Sequence, residues 1–378
     1  MEPPAAAAEV STVIEGGTLD LDRDAAALTA QLVDIPSVSG TEKTIADAVT
    51  AALGTLPWLT VHRHGNNVVA RTELGLAQRV ILAGHIDTVP IAENVPSRLD
   101  ADGVLWGCGT CDMKSGVAVQ LRIAATVPRP NRDLTFVFYD NEEVEAERNG
   151  LGHLAAAHPE WLAGDFAVLL EPSSGQVEGG CQGTLRVVLR LAGQRAHSAR
   201  SWTGSNAIHA AAPVLARLAA YEPRRPVIDG LEYREGLGAV RVEGGIAGNV
   251  IPDACLVTVN YRYAPDRSPE EAVAHVREVF AGCGVAEFTV TDHSPGALPG
   301  LSHPAARAFI EAVGGEPRPK YGWTDVSRFS ALGVPAVNYG PGDPDLAHKR
   351  DERVATGTVL HCEERLRAWL TADAPRPA

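Results

Sequence analysis

The sequence predicts an α/β fold: a domain with a mixed sheet covered by helices, interrupted by a smaller inserted α+β domain. Three observations carry this. Over the first half of the chain, short runs rich in β-branched and aromatic residues alternate with stretches of helical periodicity; near Val177 the texture changes to half-exposed, alternating strands; later it returns to the first style. The chain of 378 residues is also long for one core, because domains commonly hold about 100–200 residues. The divisions fall at 18–177, 178–294 and 295–378, the outer two segments making one domain.

In order, "MEPPAAAAEVSTVIEGG" is rich in Ala, Pro, Glu and Gly and reads as a mobile leader, with order beginning near Leu19. Helical spacing runs from Asp22 to Val33, and "DIPSVSG" breaks it with Pro36 and Gly40. "NNVVAR", "RVILAGH", "LTFVFYD" and "DFAVLLEP" are strands; "KSGVAVQLRIAATV" and "VEAERNGLGHLAAAH" are helices. Such alternation implies parallel strands covered by helices. In the insert, "GTLRVVLRLAGQ" alternates as an antiparallel strand, a helix spans Ser205 to Ala220, and "LGAVRVEGG", "CLVTVNYRYA" and a helix from Pro269 to Phe280 follow. A helix after Pro304, the strand "VPAVNYG" and a closing helix around Thr358 to Leu370 complete the chain.

Composition excludes several classes. With 45% hydrophobic and 21% charged residues the chain can bury an ordinary core. A net charge of −14 argues against a nucleic-acid partner, which needs a basic face. No apolar run approaches the ~18–20 residues of a membrane span, and the acidic start is unlike a basic signal peptide, so a cytoplasmic protein with no membrane partner is expected. Six scattered cysteines look nothing like a disulfide framework.

Polar residues cluster at or just beyond the C-terminal ends of the predicted buried strands, the edge where open α/β sheets bind ligands: His85, Glu142 with Glu143, and Glu171. Singly, each has an ordinary explanation, such as a hydrogen-bonded loop histidine or an acidic helix start. Asp87, two residues after His85, points to the same side of an extended chain and is placed to accept the proton of the ring nitrogen that faces away from a metal. Asp112, Glu143, Glu171 and the late His348 add donors suited to Zn²⁺ or Co²⁺, enough for two ions if one carboxylate bridges. Glu142 and Glu143 are adjacent, so their side chains diverge: one can hold metal while the other works on water.

The ordered motifs "GHIDTVP", "WGCGTCDMKSG", "NEEVEAE", "EPSS", "GGIAGNVIPDA" and "HKRDE" resemble those of the M20-type di-zinc metallopeptidase and deacylase superfamily, which includes aminoacylases, carboxypeptidases and acetylornithine deacetylase. The resemblance implies a zinc-aminopeptidase-like catalytic domain and two Zn²⁺ per subunit, replaceable by Co²⁺ or Mn²⁺. It implies His85 and Glu171 on one ion, Glu143 and His348 on the other, Asp112 bridging, and Glu142 as general base. It also implies a cis peptide after Asp112. The inserted domain would act as lid and homodimer interface, sending His197 of "GQRAHSAR" to the partner's oxyanion. Asn249 and Arg262 match residues that hold the substrate's carboxylate, and Thr324 and Gly340 fall on loops expected to line the pocket.

Glu171, "GWTDVSRF" and "HKRDE" look most like the branch that removes succinate from N-succinyl-LL-2,6-diaminopimelate. The alternatives are another deacylase or carboxypeptidase acting on a small N-acyl amino acid, and a metal-binding relative without turnover. Cys108 and Cys111 lack both a second metal-binding pair and a clear helix N-terminus. They read as neighbours of Asp112, with oxidation to a disulfide as a minor alternative.

Overall fold

A computed structural model describes residues 17–372; the leader read from the sequence falls almost wholly on residues 1–16, which, like 373–378, lie outside the described residues. The chain forms two compact units. The first comprises the described parts of Met1–Val177 and Asn338–Ala378 together with Ala308–Glu316; the second comprises Glu178–Arg307 and Pro317–Val337. The sequence reading ends the insert at 294, whereas the second compact unit runs on to Arg307 and takes in a further segment.

The first unit holds a mixed sheet of strands β1 (Thr60–His64), β2 (Asn67–Arg71), β3 (Arg79–His85), β4 (Asp133–Tyr139) and β5 (Phe166–Leu169). β1, β2 and β4 pair antiparallel in that order, and β4, β3 and β5 then pair parallel. β4 and β5 are buried along their whole length and β3 beyond its first residue, which is why they read as continuous apolar runs. Helices α1 (Ala25–Val33), α2 (Lys43–Gly54) and α3 (Lys114–Thr126) belong to this unit. Asp24 caps α1 by accepting the Ala27 N–H at 2.8 Å. α3 is buried over most of its length; at Gly116 a Cβ would lie 2.1 Å from the Leu170 carbonyl oxygen, so only glycine permits this approach to the chain beyond β5.

The second unit is built on an antiparallel sheet of β6 (Gly183–Ala192), β7 (Gly236–Gly244), β8 (Ala254–Tyr263) and β9 (Val285–Ser294), in the order β7-β8-β6-β9. Alternate residues Leu185, Val187, Leu189 and Leu191 of β6 pack with Val257 and Val259 of β8, against Val214 and Val276 of the helices Ala212–Ala219 and Pro269–Val279. Ser268 and Glu271 form a capping box at the start of the latter helix.

Two predicted helices are shorter in the structure. The one expected over "VEAERNGLGHLAAAH" begins only at Gly150, where Asn149 caps it by accepting the Gly152 N–H. The one expected from Ser205 to Ala220 is divided into Ala207–Ala210 and Ala212–Ala219, with Pro213 in the first turn of the second piece.

Candidate metal centre

The centre lies within the first unit, at the C-terminal ends of three parallel strands and on two loops. β3 ends at His85, with Asp87 just beyond. β4 ends at Tyr139; Asn141, at φ 55°, then turns the chain so that Glu142 and Glu143 follow in the loop. β5 stops at Leu169, the residue paired with Ala83 of β3, and the buried Glu171 follows two residues on. Asp112 precedes α3, and the peptide after it is cis. His348, also in the left-handed region at φ 60°, arrives on a late loop.

Four of these side chains interleave. His85 Nε2 is 3.1 Å from Asp112 Oδ1, Asp112 Oδ2 is 3.4 Å from His348 Nε2, and that nitrogen is 2.8 Å from Glu143 Oε1. One donor atom each from His85, Asp112 and Glu143 lie within 4.8 Å of one another. Burial pushes the Asp112 carboxyl up, but His348 and His85 outweigh it and hold the group well below the usual carboxylate range. Glu143 is raised by burial and by the charge on Asp112. His348 is pushed up to about 10 by Asp112 and Glu143. His85 is raised too, its burial being outweighed by Asp112 and Asp87. The two carboxylates thus stand against two imidazoles, a donor set that would also suit a divalent cation with the rings neutral. The oxygen and imidazole donors fit Zn²⁺, Co²⁺ or Mn²⁺.

Asp87 does more than the sequence suggests. His85 Nδ1 lies 3.0 Å from the Asp87 backbone oxygen and 3.4 Å from its carboxylate. That carboxylate accepts the Glu142 N–H at 3.0 Å, the Glu143 N–H at 3.1 Å and the Ser39 hydroxyl at 2.7 Å. Burial opposes its ionisation, yet the hydrogen bonds from His85, Ser39 and Glu142 prevail and its pKa is lowered. One buried acid thus ties the ends of β3 and β4 together. Sequence reasoning missed a second buried acid, Glu352. Its carboxylate accepts the Gly109 N–H at 2.9 Å, the Cys111 N–H at 2.8 Å and the Asp112 N–H at 3.0 Å. The signal was available: an acid inside the "HKRDE" run that also carries His348.

The remaining expected residues are distributed over both units. His197 is exposed and pairs with Val250, and the Ser198 N–H donates to the Asn249 oxygen at 2.9 Å, so His197 and Asn249 come together. The Ala199 N–H donates to His197 Nδ1 at 3.0 Å, which leaves Nε2 to carry the ring proton. Arg262 is exposed on β8 and Thr324 is buried, its carbonyl accepting from the Cys181 thiol at 3.5 Å. Gly340 is held in the first unit by its N–H to Ser173 Oγ at 2.9 Å; a Cβ there would lie 2.4 Å from the Glu171 oxygen. The thiols of Cys108 and Cys111 donate to different carbonyls, Val89 at 3.7 Å and Asp343 at 2.7 Å, and neither is in a disulfide; a bridge between them would have to break both contacts.

Among the described residues no helix is long and apolar enough to cross a membrane. Residues 81–372 match the family described as Peptidase family M20/M25/M40. A Mycobacterium tuberculosis chain named for the succinyl-diaminopimelate desuccinylase DapE is 59% identical over 353 residues, covering 93% of this chain and 99% of that one. The succinyl-diaminopimelate desuccinylase of Corynebacterium glutamicum is 52% identical over 361 residues, covering 93% and 98%. The fold is similar to that of a Staphylococcus aureus tripeptidase, with a TM-score of 0.76 at 22% identity over 94% of this chain and 98% of that one. The centre at the strand ends and the match across most of the chain lead to one conclusion: this chain belongs to peptidase family M20/M25/M40.

Proposed function

We propose that this chain hydrolyses N-succinyl-LL-2,6-diaminopimelate to succinate and LL-2,6-diaminopimelate, using two zinc ions per subunit. One observation carries the chemistry: two carboxylates and two imidazoles, brought from four separate segments, interleave at 2.8–3.4 Å. The substrate is supported by the two relatives at 59% and 52% identity that bear the name of this activity. His85 and Glu171 would hold one ion, Glu143 and His348 the other, and Asp112 both. When bound, the ions supply charge that polarises the amide carbonyl and makes a water more acidic.

The protein's own groups do the rest. Glu142 takes a proton from the attacking water and returns it to the departing amine; the water's oxygen stays with the new succinate carboxylate as the C–N bond breaks. Asp87 holds the Glu142 backbone for that task. His197, carrying its proton on Nε2, donates to the oxyanion in the partner subunit's site. Arg262 and Asn249 hold a substrate carboxylate, for which the planar guanidinium is suited, while Thr324 and Gly340 line the pocket. A homodimer through the second unit is supported by β7, the sheet's edge strand, which exposes Val240 and Val242 near the exposed Ile208 and Ile246. Among the described residues the six cysteines form no disulfide, which supports the cytoplasm as its compartment.

A panel of N-succinyl and N-acetyl amino acids tests the substrate. Succinyl-diaminopimelate should have the highest kcat/KM; faster turnover of acetylornithine or another N-acetyl amino acid would remove the desuccinylase reading and leave the amide chemistry standing.

A further inference from the structure

Glu352 lies outside the donor set, yet it grips the loop that presents Asp112. Its Oε2 accepts from Gly109 and its Oε1 from both Cys111 and Asp112, at 2.8–3.0 Å. The residue is only 2% exposed, so water cannot readily replace these donors. Its backbone is anchored as well: the Gly107 N–H donates to the Glu352 oxygen at 3.0 Å, and the adjoining strand Arg353–Ala355 pairs with Val104–Trp106. Gly109, at φ 81°, adopts the left-handed conformation that turns its N–H and those of Cys111 and Asp112 towards one carboxylate. His348, on the same short run, meets Asp112 through its side chain at 3.4 Å. One segment therefore holds Asp112 twice, by main chain and by carboxylate.

We propose that Glu352 is a positioning residue that fixes the Asp112 carboxylate between His85 and His348, and so governs metal affinity and turnover. This rests on the reading of Asp112 as a metal ligand. Glutamine has nearly the same shape but only one acceptor oxygen, and its NH₂ would face at least one N–H that the carboxylate now accepts. Glu352→Gln should therefore loosen the loop without opening a cavity.

The test compares wild type, Glu352→Gln and a control, Glu235→Gln, a buried acid of the second unit that accepts from Arg224, Tyr261 and Ala264. Metal-stripped proteins are titrated with cobalt(II) and followed by visible absorption. Hydrogen exchange of the Gly109, Cys111 and Asp112 amides is measured in the same stripped samples. Glu352→Gln should bind cobalt about 10–100-fold more weakly, the range expected when a group supporting a ligand is removed. Its three loop amides should exchange faster, and with zinc its kcat should fall while KM stays near wild type. Glu235→Gln should lower thermal stability and leave cobalt affinity and loop exchange alone. Equal cobalt affinity and loop exchange in Glu352→Gln and wild type would overturn the proposal, as would an equal loss of affinity in the control. Should Glu352→Gln fail to fold, wild type alone decides: protected loop amides support the proposal and rapidly exchanging ones overturn it. A wild-type protein that takes up no cobalt would remove the metal reading together with this one, whereas uptake with an indifferent variant removes this one alone.

Discussion

At the scale of single residues, the centre depends on acids that serve backbone as much as metal. Asp87 satisfies the N–H groups of both Glu142 and Glu143 while facing His85, so its charge fixes where the proposed base stands. Two substitutions separate base from support. Glu142→Gln keeps every proposed ligand and should lose about 10²–10⁴-fold in kcat with metal content unchanged. Asp87→Asn keeps the Glu142 side chain but presents one acceptor oxygen to the several donors that position it; it should lose about 10–100-fold in kcat/KM, with cobalt affinity also reduced. Elemental analysis beside steady-state kinetics checks both. Full activity in Glu142→Gln would assign the proton transfer to another group.

At the scale of elements, the strands that carry the centre are the ones most legible in the sequence. "RVILAGH" coincides with Arg79–His85, and "LTFVFYD" begins one residue after the observed start of β4, because strands buried on both faces are plainly apolar. α2 escaped notice although its spacing is helical, and its first turn lacks a side-chain cap. β1 and β9 lie at sheet edges and carry too much polar, exposed sequence to alternate clearly. Of the candidate donors, His85, Asp112, Glu143 and His348, which the fold brings together, stood out because each lies on or just beyond a recognisable strand or motif. The grips of Asp87 on Glu142 and of Glu352 on Asp112 were not legible, since they join a side chain to main chain across 55 and 240 residues; the "HKRDE" run marks Glu352 as a residue of interest and says nothing of what it holds. Glu235 shows a similar device in the second unit, tying Arg224 and Tyr261 to the main chain after β8 at Ala264. Burial raises its pKa, but Arg224 and the Ala264 N–H lower it further, to below the ordinary 4.5. A depressed folded-state pKa means that its stabilisation is present above the unfolded value and is lost as pH falls through the folded one. Glu235→Gln should therefore cost about 1–3 kcal/mol at neutral pH, and the gap from wild type should narrow below about pH 4.5. Denaturant unfolding at several pH values checks the sign; a gap that widens on acidification would contradict it.

At the scale of the whole molecule, the proposed activity requires two copies of the chain, because His197 is read as serving the partner subunit. Val242→Asp places a charge on the exposed edge strand β7 and should yield monomers in sedimentation, with kcat reduced by about 10²-fold or more and metal content retained. Monomers with undiminished kcat would remove the role in the partner's site. The position of His348 has a consequence for synthesis. Its contact with Glu143 spans 205 residues, so a growing chain presents His85, Asp112 and Glu143 long before His348 exists. At ~5–20 residues per second that interval is about 10–40 s. The centre is closed by a residue made 205 positions after Glu143, so a chain stopped or clipped before His348 holds an open cluster of acids, and the full set of proposed donors exists only once His348 has emerged.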